Sequence, residues 1–268
     1  ILYNQGKIDR LLVVAPKGAY MNWVEQEIPT HVPDYVEKEV LAWKLSTSQR
    51  YKAELRSIRA VNDFRLKIFV MNVEALSTKK GTDAAKLFLI GKSMMIVDES
   101  TTIKNPKAKR TKNVLELAKE AKYRRILTGS PVTQSPMDLW AQMDFLDPYI
   151  LGQSSYYAFR TRYAVVIEAT AAGGTHRYQK IVKFKNLKEL GERVSPHSYR
   201  ILKKDCLDLP DKVYSKRFVE LSDEQTKAYA EMKANAMAML QGQSATALNV
   251  LTQLIRLHQI TCGHMKTD

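Results

Sequence analysis

The chain has 268 residues, 45% of them hydrophobic, which suits one large domain or a domain with an appendage. No apolar run approaches the ~18 residues that cross a bilayer, and no secretory signal is visible, so neither a membrane span nor export is expected. Against 28 acidic residues stand 42 Lys and Arg, a net charge of +14 that favours a polyanionic partner, usually nucleic acid.

Residues 1–7 read as the end of a helix. Leu11-Leu12-Val13-Val14-Ala15 is a buried strand. Residues 18–28 follow as a helix with Met21, Val24 and Ile28 on one face, ended by Pro29. A second strand is expected over 39–43. A helix over 46–61 has Ser46 and Gln49 at capping-box spacing. Strands at 67–71 and 94–98 come next. A basic helix over 106–120 has proline at its first position, and residues 123–127 form a fifth strand. This alternation argues for a parallel sheet with helices on both faces.

After Pro131 the pattern changes. Helices are expected at 136–146 and 154–163. A β-hairpin is expected from 165–169 and 177–184 around Gly173-Gly174. A short helix at 187–194 and strands at 199–202 and 216–221 follow. Two long helices, 222–240 capped by Ser222 and 245–261, pair across a turn at 242–244. Two cysteines, Cys206 and Cys262, give no disulfide framework and fit an intracellular setting, cytoplasm, nucleoid or nucleus.

The most informative stretch is Met94-Met95-Ile96-Val97-Asp98-Glu99-Ser100. An apolar strand ends there in two adjacent carboxylates. In a parallel sheet the carboxyl ends of strands open onto the crevice where ligands bind. Two acids at that place can hold Mg²⁺ on a nucleotide and orient a water for attack on its γ-phosphate. Taken alone, the same residues also fit a buried strand with two solvated acids.

The residues that follow carry a resemblance. Thr102-Ile103-Lys104-Asn105-Pro106 comes after the acids, then Arg125-Ile126-Leu127-Thr128-Gly129-Ser130-Pro131, Asp138-Leu139-Trp140 and Asp144-Phe145-Leu146-Asp147-Pro148. Their order and spacing resemble the Swi/Snf-like ATPases of helicase superfamily two. Further stretches agree: Val13-Val14-Ala15-Pro16-Lys17 with Trp23 after it, Val70-Met71-Asn72, Arg200-Ile201-Leu202-Lys203-Lys204, Leu209-Pro210-Asp211-Lys212, and Leu254 to His264. The resemblance implies a RecA-like α/β fold, a parallel sheet with helices on both faces. A mainly helical protrusion carrying the small β-hairpin would be added to it. The expected division is a motor lobe over 1–132, a helical insertion with the hairpin over 133–200, and return strands with a helical-hairpin protrusion over 201–268.

The same resemblance implies ATP and Mg²⁺ as cofactors and double-stranded DNA as the track. A protein to be displaced or remodelled is a possible further partner. Asp98 would coordinate Mg²⁺ and Glu99 would activate water. Thr101, Thr128, Gly129, Ser130 and Pro131 would couple nucleotide state to the track. Pro16, Lys17, Gly18, Asn72, Lys104 and Asn105 would touch the DNA backbone without regard to sequence. Two departures stand out: the acidic tetrad reads Asp-Glu-Ser-Thr, with Thr101 where the family has histidine, and residues 1–268 hold no glycine-rich phosphate loop with Lys-Ser or Lys-Thr. The family's phosphate-loop strand would sit at the centre of the sheet, before Ile1. The leading expectation is therefore the first lobe of an ATP-driven duplex translocase. A non-catalytic DNA-binding or scaffold module and a strand-separating helicase are the alternatives. Trp23, Trp43 and Trp140 read as core, and His258, Cys262 and His264 lack the fourth ligand of a zinc site.

Overall fold

The computed structural model describes residues 1–60, 64–170, 177–206, 208, 210, 213–241 and 247–263. They fall into two compact units, Ile1–Arg200 and Ile201–Asp268.

The first unit is built on strands β1 (Arg10–Ala15), β2 (Lys38–Ala42), β3 (Leu66–Asn72), β4 (Ser93–Asp98) and β5 (Tyr123–Leu127). They form one sheet in the order β2-β3-β1-β4-β5, and every pairing is parallel. β1 occupies the centre, so the ladder has no gap where a phosphate-loop strand was expected. The outer edge of β5 instead pairs with no described strand.

The runs at β1 and β3 are apolar on both faces because both faces are covered. Leu12, Val14, Phe69, Met71, Met95 and Val97 point into one core, closed by α4 (Lys79–Phe88) and α5 (Lys109–Glu120). There Phe69 meets Phe88 with ring centroids 5.4 Å apart. Val13, Ile68 and Val70 point the other way, against Ile28 and Val36, with Trp23 and Val24 packed beside them. α3 (Gln49–Ser57) lies between β2 and β3 in sequence and buries Tyr51.

Several boundaries differ from expectation for identifiable reasons. At the start, Lys7 N–H donates to Leu2 O and Gly6 N–H to Tyr3 O, with Gly6 at φ 63°. That is the hydrogen-bonding of a helix C-terminus, although the segment is a turn. Pro29 does not stop the next helix. α1 (Tyr20–Asn22), a π-helical turn (Trp23–Glu27) and α2 (Ile28–His31) run on continuously. Ile28 N–H bonds back to Trp23 O, and the wider π register absorbs the donor that proline lacks. Ser48 caps α3, taking Tyr51 N–H on its hydroxyl, so Ser46 does not begin it. Pro106 lies in a turn before α5, not at its first position.

The remaining elements of this unit are α6 (Leu139–Leu146), α7 (Tyr156–Tyr163), the antiparallel pair β6 (Ala164–Thr170) and β7 (Arg177–Phe184), and α8 (Leu187–Val194). They share a core of Trp140, Met143, Leu151, Phe159, Tyr163 and Leu190. The Gly173-Gly174 turn lies outside the described residues. No strand forms at 199–202. Tyr199 and Ile201 are exposed there, and an extended segment without a neighbouring ladder is not a strand.

The second unit contains α9 (Lys203–Cys206), α10 (Asp223–Gln241) and α11 (Ala247–Thr261). Residues 216–221 are irregular, with Phe218 and Val219 exposed. Ser222 and Gln225 form a reciprocal capping box at the start of α10. Gln225 Nε2 also donates to Ile260 O of α11 at 3.0 Å. The turn at 242–244 and most of the 209–212 motif lie outside the described residues.

Candidate functional site

Because the five strands are parallel, their carboxyl ends share one edge of the sheet. Residues 16–18 follow β1, Asn72 ends β3, Asp98 ends β4, and Thr128 to Pro131 follow β5. The opposite edge is closed by structural cations. Arg10 is buried and donates to the carbonyls of Phe88, Arg59 and Ala60. Lys67 Nζ donates to Ser57 O. The amino ends are thus locked, while the carboxyl ends carry exposed polar groups.

Asp98 is half-buried and both its oxygens are engaged. Oδ1 accepts the N–H of Glu99 at 2.9 Å, and Oδ2 accepts the indole N–H of Trp23 at 2.9 Å. Glu99 has φ 45° and ψ 59°, a left-handed conformation that a side-chain-bearing residue adopts at a cost of order 1–3 kcal/mol. This kink turns the chain out of the strand, leaving Glu99 exposed beside Asp98 and Ser100 buried behind it. A carboxylate has about four lone-pair positions, so Asp98 keeps capacity for a cation after accepting two hydrogen bonds. Among the described residues no group of three or more His, Cys, Asp or Glu could hold a metal ion. An oxygen donor set of one or two carboxylates fits Mg²⁺ brought in with a phosphate ligand rather than a cation caged by protein alone.

Trp23 was read as core from the sequence, yet it is the donor that fixes Asp98. Its signal was present in the position of the tryptophan shortly after the first strand. The π-helical turn that begins at Trp23 is a feature often found at functional sites.

The turn after β5 is tied to the loop after β4 by two sets of contacts. Asp138 Oδ2 accepts Thr133 N–H, Thr133 Oγ1–H and Gln134 N–H at 3.0, 2.9 and 2.9 Å. Lys104 Nζ lies 3.7 Å from the same oxygen and donates to Thr133 Oγ1 at 2.5 Å. Burial pushes the Asp138 carboxyl up. The bonds from Gln134 and Thr133 and the Lys104 charge outweigh it and hold the acid below its ordinary value. Deeper in, Ser100 Oγ donates to Gln142 Oε1, and Gln142 Nε2 donates to the carbonyls of Pro131 and Asp138. From the sequence, Ser100 had no assigned role, although it lies in the acidic tetrad, and Gln142 was not singled out.

The residues expected at the DNA backbone divide into two groups. Lys17, Gly18 and Asn105 are exposed, and Pro16 O accepts the N–H groups of Ala19 and Tyr20 in the turn that starts the helix. Asn72 uses its side chain to cap the following 3₁₀ turn, accepting Ala75 N–H at 2.9 Å. Lys104 is engaged within the protein, as above. Thr128 Oγ1 accepts Ser130 N–H, and Ser130 Oγ donates to Val132 O. Thr101 makes no side-chain bond to this turn among the described residues. In the second unit, Cys262 Sγ is 3.8 Å from His258 Nε2, and His264 lies outside the described residues.

A profile of the SNF2-related domain matches residues 2–266. The helicase-like transcription factor of Mus musculus is 29% identical over 96% of this chain, which corresponds to 24% of that protein. The chromatin-remodeling ATPase INO80 of Candida albicans is 26% identical over 94% of the chain and 18% of its own length. The SWI2/SNF2 ATPase core of Sulfolobus solfataricus, solved in complex with double-stranded DNA, superposes with a TM-score of 0.54 at 26% identity. That match covers 99% of this chain and 51% of the solved one. The chain therefore spans a quarter or less of these curated relatives and about half of the solved core.

Proposed function

The chain belongs to the SNF2-related family, and on that premise we propose that it is the first lobe of an ATP-dependent motor that moves on double-stranded DNA. The observation that carries the reading is the Asp98–Glu99 pair, at the carboxyl edge of an all-parallel sheet and one strand from the Thr128–Pro131 turn. Residues 1–132 would be the motor lobe proper, 133–200 its insertion and 201–268 the protrusion.

Asp98 would hold Mg²⁺ accompanying the nucleotide, and the ion would neutralise phosphate charge as the γ-phosphoryl group leaves. Trp23 holds the Asp98 carboxylate in place through the indole hydrogen bond. Glu99, exposed on its left-handed kink, would accept a proton from the attacking water. Residues 1–268 hold no phosphate loop. The outer edge of β5, which pairs with no described strand and borders a groove of about 500 Å³ between Ile126–Val132 and Val194–Arg200, is where a strand carrying one would add. Lys17, Gly18 and Asn105, with Pro16, Asn72 and Lys104 behind them, would meet the sugar-phosphate backbone. The net charge of +14 supports binding that is strong at low salt and indifferent to sequence.

The test is Glu99→Gln in the protein that contains the whole motor. DNA-stimulated ATP hydrolysis should disappear while duplex binding persists, and retained turnover would refute the assignment. The Asp-Glu-Ser-Thr tetrad favours a second reading, a DNA-binding scaffold derived from such a motor. That reading requires DNA affinity that is salt-sensitive but indifferent to nucleotide.

A further inference from the structure

Ser100 and Gln142 have no exposure to solvent, and between them they bridge the loop after β4 to the turn after β5. Ser100 Oγ donates to Gln142 Oε1 at 2.6 Å. Both amide hydrogens of Gln142 are used as well, one on Pro131 O and one on Asp138 O, each at 2.7 Å. This pattern fixes the orientation of the carboxamide, since a reversed amide would set Oε1 against two carbonyl oxygens. No donor on the side chain is left over.

A buried polar network with every member satisfied resists partial rearrangement, because breaking one bond strands a polar group away from water. Ser100 is the residue immediately after Glu99. A shift of the acid-pair loop must therefore carry Gln142 with it or strand Oε1. Gln142 in turn cannot leave without releasing Pro131 O. The turn is gripped at a second point through Lys104, Thr133 and Asp138. Thr101, which occupies the position expected to make this connection, sends no side-chain hydrogen bond to the turn among the described residues.

We propose that the Ser100–Gln142–Pro131 relay is the positioning link through which events at Asp98–Glu99 reach the Thr128–Pro131 turn, and the reverse. Linkage makes the coupling reciprocal. What the relay transmits rests on the ATPase reading; that the two loops are mechanically joined does not.

Amide hydrogen exchange on the 268-residue chain tests the join directly. Ser100→Ala cuts the relay at one end and should speed exchange at the far end, at the amides of Ser130, Thr133 and Gln134, by about tenfold. Ser93→Ala is the control. Ser93 is equally buried at the other end of β4, and its hydroxyl donates to Leu89 O at 2.8 Å, so its loss removes a comparable bond without touching the relay. Faster exchange confined to residues 99–103, or an equal effect from Ser93→Ala, would overturn the proposal. Gln142→Met cuts the relay at its middle, and combining it with Ser100→Ala should add nothing further at 130–134; additive effects would also overturn it. In the protein with the whole motor, Ser100→Ala should lower the ratio of DNA-stimulated to unstimulated ATP turnover about fivefold or more, and an unchanged ratio counts against the relay. A wild-type motor with no ATP turnover at all would instead refute the function proposed above, and the exchange result alone would then decide the relay.

Discussion

Asp138 offers the sharpest quantitative test of how the turn after β5 is held. Its Oδ2 accepts three hydrogen bonds from Thr133 and Gln134 and faces Lys104 Nζ, and the residue is only 7% exposed. Hydrogen bonds to a charged acceptor contribute about 1.5–3 kcal/mol each. Three that share one oxygen, offset by desolvation of the acid, should sum to about 3 kcal/mol. Asp138→Ala removes all of it, whereas Asp138→Asn keeps an acceptor oxygen and loses only the charge, costing about 1 kcal/mol. Because the folded-state acid titrates below its ordinary value, its contribution is complete above the unfolded pKa and is lost as pH falls through the folded one. The gap between wild type and Asp138→Asn should therefore be constant near neutrality and close below pH ~4. Urea unfolding followed by tryptophan fluorescence measures this cleanly, since all 3 tryptophans lie in the first unit. Equal losses for the alanine and asparagine variants, or a gap that persists unchanged to pH ~3, would refute the reasoning.

Trp23→Phe removes the donor to Asp98 and should cost about 1–2 kcal/mol. In a double-mutant cycle with Asp98→Ala, which leaves the indole no side-chain acceptor at that position, most of that cost should be shared, and strictly additive losses would show that the bond contributes nothing. In the complete motor the same variant should raise the Mg²⁺ concentration for half-maximal turnover about tenfold. Gly81→Ala is ordinarily favourable in a helix by about 1 kcal/mol. Here the new Cβ collides with the Ala75 carbonyl, so chemical denaturation should show a net loss of about 1–2 kcal/mol.

The legible parts of this fold were those that depend on local pattern. β1, β3 and β4 were visible as apolar runs because both faces of their central residues are buried or half-buried, the cations Arg10 and Lys67 being confined to the amino ends of β1 and β3. α8 was found at its full length from its spacing alone. α4 was missed because Lys79-Lys80-Gly81-Thr82-Asp83 hides the apolar face, which begins only at Ala84. The helix through Pro29 was cut short because a π register cannot be read from a 3.6-residue period. Residues 199–202 and 216–221 have strand-like composition, but composition does not supply a neighbouring ladder. At the site, the carboxylates announced themselves by following an apolar strand. Their supports did not: Trp23 lies far from Asp98 in sequence, and so does Gln142 from Ser100. Nothing in either stretch marks the pairing before the sheet and α6 are assembled.

The placement of β1 has a consequence for how the protein is made. Of the five strands in this sheet, the earliest in the chain is the one that ends up in the middle, hydrogen-bonded to β3 on one side and β4 on the other, with Arg10 opposite both Lys67 and Ser93. Until synthesis has passed β4, the run Leu11-Leu12-Val13-Val14-Ala15 has no partner on one of its two edges. At roughly 5–20 residues per second that interval lasts several seconds. During it the nascent chain presents an apolar, β-prone segment of the kind that chaperones bind and that aggregates seed on. Translation speed between β1 and β4 should therefore govern the yield of soluble protein more strongly than speed anywhere after β5.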